Sequence, residues 1–300
     1  MEMITTLAAQ PALVIVAMTV LGLLIGSFLN VVIYRLPLMM EREWRSECRA
    51  LLELGDDADN NEPFDLVRPR SRCPHCATPI AAHQNIPLLS YLLLAGRCRH
   101  CGVTIPRRYP LVEFMGGVIG GTVAWHFAYA PDANTALWLA RALFGAIYGW
   151  SLLTLAAIDL DTKLLPDSIT QPLLWLGLAC SFFGLFASDL PTAVLGAMMG
   201  YLSLWSIYWV FKLVTGKEGM GYGDFKLLAA LGAWLGWQAL PAVILISSVL
   251  GAIVGIAMIV SGLTKRSEPI PFGPFLAGAG LIALVFGEPL SALFHAGPTL

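Results

Sequence analysis

Two aspartates at the ends of long apolar runs are the residues best placed to do chemistry. Asp159 follows the run 136–158, and Asp224 closes the sequence Gly221-Tyr222-Gly223-Asp224 just before the run 225–240. A carboxylate at a membrane boundary has to be solvated, paired or protonated. Two carboxyls held close together share a proton, so one can deprotonate a water while the other protonates the departing group. Asp159 and Asp224 therefore predict a water-activating aspartyl site.

The other acids near these runs fit structural roles better. Asp161 lies two positions beyond Asp159, about 200° around a continuing helix, and would point away from the site. Asp167 precedes a new apolar run and is expected to cap its helix, and Asp224 itself has helix capping as its alternative role. Glu113 lies one turn inside another run and is expected to pair with one of the two arginines before it.

Four cysteines form the second constellation, two C-x-x-C pairs separated by 21 residues. Four thiolates at this spacing can close a tetrahedral zinc site, each pair supplying two ligands from one tight turn. A reducing cytoplasm argues against two disulfides instead. Because four thiolates fill the coordination shell, the zinc is expected to be structural, with His75 and His100 outside the ligand set. The expected ligands are Cys73, Cys76, Cys98 and Cys101.

Composition places these residues in a membrane protein. The chain is 57% hydrophobic and 13% charged, whereas soluble domains carry about 25% charged residues. We predict an all-α polytopic membrane protein of about eight transmembrane helices, with the first run retained rather than cleaved as a signal peptide. The stretch 225–240 is short, and is either a span or a re-entrant helix. The other seven runs are 11–34, 109–130, 136–158, 169–187, 190–211, 241–263 and 272–295.

The basic residues predict how these helices are oriented. Of 18 lysines and arginines, 11 lie between Arg35 and Arg108. Under the positive-inside rule this segment is cytoplasmic and both termini are outside. With eight spans, Asp159 and Asp224 then share the cytoplasmic face. We therefore expect a first helix at 1–34, a cytoplasmic zinc-binding module at 35–108 and a membrane-embedded peptidase domain at 109–300. Within the module, the apolar segment 86–94 is expected either at the membrane surface or beneath the cysteine pairs.

Motifs along nearly the whole chain resemble the type IV prepilin peptidases of bacteria. The Gly-x-Gly-Asp element alone is also found in presenilin-like proteases, but its combination with the cysteine module is specific. The motifs, besides Asp159 and the two cysteine pairs, are Gly26-Ser27-Phe28-Leu29-Asn30-Val31-Val32, Arg35-Leu36-Pro37, Asn85-Ile86-Pro87, Arg108-Tyr109-Pro110-Leu111-Val112-Glu113, Leu165-Pro166-Asp167, Gly221-Tyr222-Gly223-Asp224-Phe225-Lys226 and Pro271-Phe272-Gly273-Pro274.

The resemblance implies a bifunctional enzyme of the bacterial inner membrane, with Asp159 and Asp224 as its catalytic dyad. Such enzymes remove the basic leader of prepilins and pseudopilins after a glycine, then methylate the new N-terminal residue with S-adenosylmethionine. Membrane lipid is the other expected partner, and no nucleic acid is expected. Asn30, Arg35 and Glu113 are candidates for the methyl-donor site, although structural roles suit each better. Two alternatives are a presenilin-like intramembrane aspartyl protease and a non-enzymatic zinc-ribbon scaffold or transporter.

Overall fold

The computed structural model describes residues 10–54, 63–130, 137–186, 189–262 and 270–295. The regular elements of these residues are helices, which confirms the all-α prediction. Short 3₁₀ segments lie at Ala82–Asn85 and Trp237–Ala239. The helices are α1 Pro11–Leu51, α2 Leu89–Leu93, α3 Arg108–Ala128, α4 Leu137–Thr162, α5 Asp167–Phe182, α6 Leu190–Thr215, α7 Tyr222–Leu235, α8 Leu240–Val260 and α9 Gly273–His295.

Five helices of the described residues are long and apolar enough to cross a membrane, which agrees with a multi-pass membrane protein. They are α1, α3, α4, α6 and α8, the last counted with its preceding 3₁₀ turn. The apolar part of α9, Gly273–Gly287, is shorter. The 16-residue α5 and the 14-residue α7 rise about 24 and 21 Å, against about 30 Å of hydrocarbon. The count of eight spans stays a prediction.

Helix α1 is longer than its apolar run. The sequence predicts a span ending at residue 34, but the helix continues through Pro37 to Leu51 and contains 41 residues. Proline removes one backbone hydrogen bond without ending this helix, because the residues after it are strong helix formers. Glu41 and Arg45 add an ion pair one turn apart. The helix therefore does not end where the sequence changes from apolar to polar. The acidic stretch that follows, 55–62, lies outside the described residues.

The described residues divide into two compact units, 10–122 and 123 onward. In the first unit, glycines allow α1 and α3 to approach closely: a Cβ on Gly22 or Gly26 would overlap the backbone of α3 near Gly116. Asn30 Nδ2 also donates a 3.0 Å hydrogen bond to the carbonyl of Tyr109. Small residues serve in this way where membrane helices pack tightly.

In the second unit, the short helix α7 is enclosed by its neighbours. Gly196 of α6 lies against Gly232 of α7, where a Cβ on either residue would overlap the other's carbonyl. On the α5 side, Trp234 Nε1 donates to the Leu173 carbonyl at 2.8 Å and its ring fills the space beside Gly177. Every residue from Leu227 to Trp234 is buried. This packing fixes α7, and with it the position of Asp224.

Candidate active site and cysteine cluster

Asp159 lies in the last turn of α4 and is only 5% exposed. Its Oδ2 accepts a 2.9 Å hydrogen bond from the backbone N–H of Gly273, the first residue of α9. The first N–H groups of a helix have no partner within the helix, so this one is available to hold the carboxylate. A Cβ on Gly273 would lie 2.7 Å from the same oxygen. A side chain at this position would therefore have to displace the Asp159 carboxylate.

Asp224 is the third residue of α7 and is 7% exposed. The N-cap of this helix is Gly221, and no side chain caps it, so the capping alternative for Asp224 does not apply. Gly223 packs on Leu165, where a Cβ would lie 2.8 Å from the leucine Cβ. Gly223, the second glycine of the Gly-x-Gly-Asp element, thus allows the start of α7 to pack closely against the loop after α4.

The structure brings Asp159 and Asp224 together around this loop. Leu165 lies beside Gly223 on one side and within 3.1 Å of the Cβ position of Gly273 on the other. The two carboxyls are close enough for their charges to interact. Asp161 is exposed, as expected for a residue on the other side of α4. Two buried acids held close together at helix ends can share a proton and act on a water molecule.

Asp167 does not play the capping role predicted for it. The N-cap of α5 is Pro166, without a side-chain cap, because proline supplies the extended backbone there. Both Asp167 oxygens instead bind Lys226 Nζ, at 2.6 and 2.8 Å. Lys226 follows Asp224 by two residues, so the ion pair joins the segment after Asp159 to the helix that carries Asp224.

An aromatic cluster that the sequence did not indicate holds the loop before α7. The rings of Tyr208, Tyr222 and Phe225 lie with centroids 5.4 to 5.7 Å apart. Lys212 donates to the Tyr208 hydroxyl at 3.1 Å and pairs with Glu218 at 2.8 Å. These residues tie the loop to α6 and place the first turn of α7. Aromatic residues are too common in membrane helices for sequence alone to have selected them.

The four cysteines form a separate cluster in the other unit. Their Sγ atoms lie within 4.8 Å of one another, an arrangement that could hold a metal ion, and Cys73 and Cys101 are 3.8 Å apart. Cys73 is buried, whereas Cys101 is exposed. Hydrogen bonding with the Thr78 side chain and backbone lowers the pKa of the Cys76 thiol to about 6, whereas desolvation and the neighbouring thiols raise the pKa of Cys101 to about 11.

The two cysteine turns are structural copies, a relation that the sequence analysis missed. In each, the first cysteine N–H bonds the carbonyl five residues on, and its carbonyl accepts from the N–H four residues on. That fourth residue has positive φ, at Ala77 and at Gly102. A short bridge flanks each turn, Arg72 with Pro79 and Arg97 with Thr104. The detectable signal was the pattern R-C-x-H-C-x-x-x-I, present at 72–80 and again at 97–105.

The three polar residues considered for a methyl donor all have structural partners. Asn30 binds the Tyr109 carbonyl as described. Arg35 donates to the carbonyls of Asp65 and Pro69, at 2.9 and 2.6 Å. Glu113 Oε2 accepts the N–H of Leu88 at 2.8 Å. All three are buried. Asn30 joins α1 to α3, whereas Arg35 and Glu113 tie loops of the cysteine module to α1 and α3.

Comparison with known proteins extends these local features to the whole chain. The bacterial peptidase A24 N-terminal domain matches residues 20–127, and the type IV leader peptidase family matches residues 146–256. A prepilin leader peptidase/N-methyltransferase of Stutzerimonas stutzeri is 53% identical over 288 residues, which cover 96% of each chain. The chain belongs to the type IV leader peptidase family.

Two further proteins with the same name match this chain over most of their length. One, from Pseudomonas aeruginosa, is 50% identical over 98% of both chains, and another, from Aeromonas hydrophila, is 55% identical over 90% of both. No solved structure matches. The four cysteines lie in the N-terminal domain match, and both candidate acids lie in the leader peptidase match.

Proposed function

We propose that this chain cuts the leader peptide from type IV prepilins and type II secretion pseudopilins, then N-methylates the new N-terminal residue. The observation that carries the proteolytic half is that Asp159 and Asp224 are both buried and that their segments meet around Leu165. Membership of a family whose close relatives are prepilin leader peptidase/N-methyltransferases favours this function over a presenilin-like protease or a zinc-ribbon scaffold or transporter.

The proposed cleavage is general acid–base catalysis by the pair. One carboxylate takes a proton from a water molecule that attacks the scissile carbonyl, while the other, as a carboxylic acid, polarises that carbonyl and protonates the leaving amine. The Gly273 N–H holds the Asp159 carboxyl in place. The packed start of α7 does the same for Asp224. No covalent intermediate is required.

The predicted topology places this chemistry at the cytoplasmic face of the bacterial inner membrane. We propose eight spans with both termini outside, supported by the one-sided distribution of lysine and arginine. Residues 1–34 then make the first span, 35–108 the cytoplasmic module and 109–300 the peptidase domain. A substrate with a basic leader followed by an apolar helix has its cleavage junction at the depth of the two acids.

The cysteine cluster is proposed to bind one structural zinc ion through Cys73, Cys76, Cys98 and Cys101. Zinc–sulfur bonds of 2.3 Å in a tetrahedron separate the sulfurs by about 3.8 Å, the spacing found between Cys73 and Cys101. Bound there, the ion cross-links the two matching turns. A module with so small a core would draw much of its folding free energy from this metal.

S-adenosylmethionine is the proposed methyl donor, on the strength of the family relationship. The sequence contains no G-x-G-x-x-G fingerprint, so its site is not of the Rossmann kind. Asn30, Arg35 and Glu113 are held by structural contacts, which supports structural roles for all three.

The decisive experiment compares Asp159→Asn and Asp224→Asn with Asp161→Asn in purified enzyme acting on a prepilin. Asparagine keeps the shape but cannot exchange the proton, so cleavage by either dyad variant should fall by about 10²- to 10⁴-fold. Asp161→Asn should cleave at near wild-type rate, because Asp161 is exposed on the other side of α4.

Methyl transfer to an already cleaved pilin serves as the control for folding. It should survive in both dyad variants, since that reaction needs no acid pair. Cleavage that persisted in Asp159→Asn but was lost in Asp161→Asn would transfer the role to Asp161. Undiminished cleavage in both dyad variants would refute the aspartyl mechanism.

A further inference from the structure

The short helix α2 exposes an apolar face that no described residue covers. Ile86 and Leu89 are about half exposed, and Leu92 and Leu93 are 73% and 77% exposed. Leu89, Leu92 and Leu93 share one side of α2, because they recur three to four positions apart. Ile86 precedes the helix in extended backbone. We call the three leucines the α2 apolar face. Leucines this exposed in the extramembrane part of a protein mark a surface that something else covers.

The opposite side of the segment is occupied by the cysteine module. Ser90 Oγ accepts the Ile86 N–H at 3.1 Å, and the Tyr91 hydroxyl contacts the Ile105 carbonyl at 3.4 Å. Gly96 packs beneath the Tyr91 ring, where a Cβ would lie 2.9 Å away. Because the Tyr91 contacts hold one side of α2 against the second cysteine turn, Leu92 and Leu93 are left exposed on the rest of the helix. On this side the segment packs against the second cysteine turn, as the alternative of packing beneath the cysteine pairs expects, and the α2 apolar face remains uncovered by the described residues.

Hydrogen bonds set α2 at the level where the first unit enters the membrane. The Leu88 N–H, directly before α2, binds Glu113 in the second turn of α3, a candidate span. Asn30, inside the apolar part of α1, binds Tyr109 at the start of α3. Both helices therefore pass from polar to apolar surroundings beside α2.

The charge around α2 complements an anionic surface. Residues 63–108 contain seven arginines and one aspartate. Arg97 follows α2 within one turn and Arg107 precedes α3, and both are exposed. Arginine next to inserted apolar residues can reach the phosphate layer while its stem stays in apolar contact.

We propose that the α2 apolar face inserts into the headgroup layer of the membrane, with a preference for anionic lipid. The cysteine module is then anchored on the bilayer at a third point besides α1 and α3. This proposal rests on α1 and α3 crossing the membrane and not on the peptidase activity, so either can fail alone.

Photo-crosslinking in vesicles tests the contact directly. Benzoylphenylalanine is placed at Leu92 or Leu93 of the full-length protein in phosphatidylcholine vesicles with or without phosphatidylglycerol. Mass spectrometry then identifies what each position has captured. Val16, exposed on the apolar part of α1, is the positive control, and Thr104, exposed in the second cysteine turn, is the negative one.

Acyl-chain adducts at Leu92 and Leu93 should approach the yield at Val16, be absent at Thr104, and decrease when phosphatidylglycerol is omitted. Adducts confined to residues 123–300 or to an added prepilin would overturn the proposal and identify a protein partner for the face. Absence of any adduct at both leucines, with Val16 labelled, would also overturn it.

Discussion

Gly273 supplies the N–H that holds Asp159, and it has no room for a side chain. We predict that Gly273→Ala displaces the carboxylate and lowers prepilin cleavage by about 10²-fold, the usual effect of a 1 Å misplacement in an active site. The KM for prepilin should change little. Steady-state kinetics with purified enzyme provide the measurement.

Gly278→Ala, five residues further along α9, is the matched control. A Cβ there meets nothing within 4 Å, so this variant should cleave like wild type. Equal activities of the two alanine variants would show that the Gly273 contact has no role in cleavage.

The residues of the candidate site differ in how far sequence could reveal them. Asp159 and Asp224 stand out because a carboxylate beside an apolar run is rare and costly. Gly273 lies 114 residues from Asp159 in the sequence. The residues around Gly273 do not indicate that its N–H binds this carboxylate. The ion pair between Asp167 and Lys226 was missed for the same reason. Helix capping can be predicted from neighbouring residues, whereas this ion pair joins residues far apart in the sequence.

Between helices, the Lys226–Asp167 ion pair links the two acid-bearing segments. Its members are 31% and 58% exposed, so the pair contributes at most about 1 kcal/mol. We predict that Lys226→Met or Asp167→Asn lowers cleavage by no more than about fivefold, with little change in unfolding temperature, and that high salt reduces the difference from wild type.

The charge-reversed double variant Asp167→Lys/Lys226→Asp should recover most of the activity, because it restores the attraction. Lys217→Met changes an exposed lysine of the loop before α7 and should have no effect. Failure of the double variant to exceed both Asp167→Lys and Lys226→Asp would mean that the pair does not position the site.

At the scale of elements, hydropathy located the helices better than it located their ends. The runs at 136–158 and 190–211 begin within one residue of α4 and α6, because an apolar run of that length has few alternatives to a helix. The end of α1 was missed since hydropathy reports the surroundings of a helix and not its hydrogen bonds. The close approach of α6 and α7 at Gly196 and Gly232 was also not predicted, because it depends on which two helices pack together and the hydropathy of one run does not show this.

For the molecule as a whole, metal removal should affect one part selectively. Metal analysis should give about one zinc per chain, lost in Cys73→Ser/Cys98→Ser and kept in Cys48→Ser/Cys180→Ser. Loss of the metal should open residues 63–108 to trypsin, which can cut after six of the seven arginines there, since Arg68 precedes a proline. Full zinc content in the first variant would refute the ligand assignment.

Cys48 offers a native test of orientation. It is exposed on the polar part of α1, which we predict to be cytoplasmic from the distribution of basic residues. We predict that a membrane-impermeant thiol reagent leaves Cys48 unlabelled in intact cells and labels it after permeabilisation. A cysteine at Tyr129, exposed at the far end of α3, should react in intact cells. The reverse pattern would invert the topology.

Because α1 is one continuous helix, a change in the tilt of its membrane part also moves its polar end. Its 41 residues span about 60 Å, twice the hydrocarbon thickness. Transmembrane helices adjust their tilt to bilayer thickness, and a 10° change of tilt sweeps the tip of such a rod through about 10 Å. Arg35 fastens the loop at Asp65 and Pro69 to this rod. We therefore expect the distance of the polar end of α1 from the membrane, and its angle to the membrane, to depend on bilayer thickness.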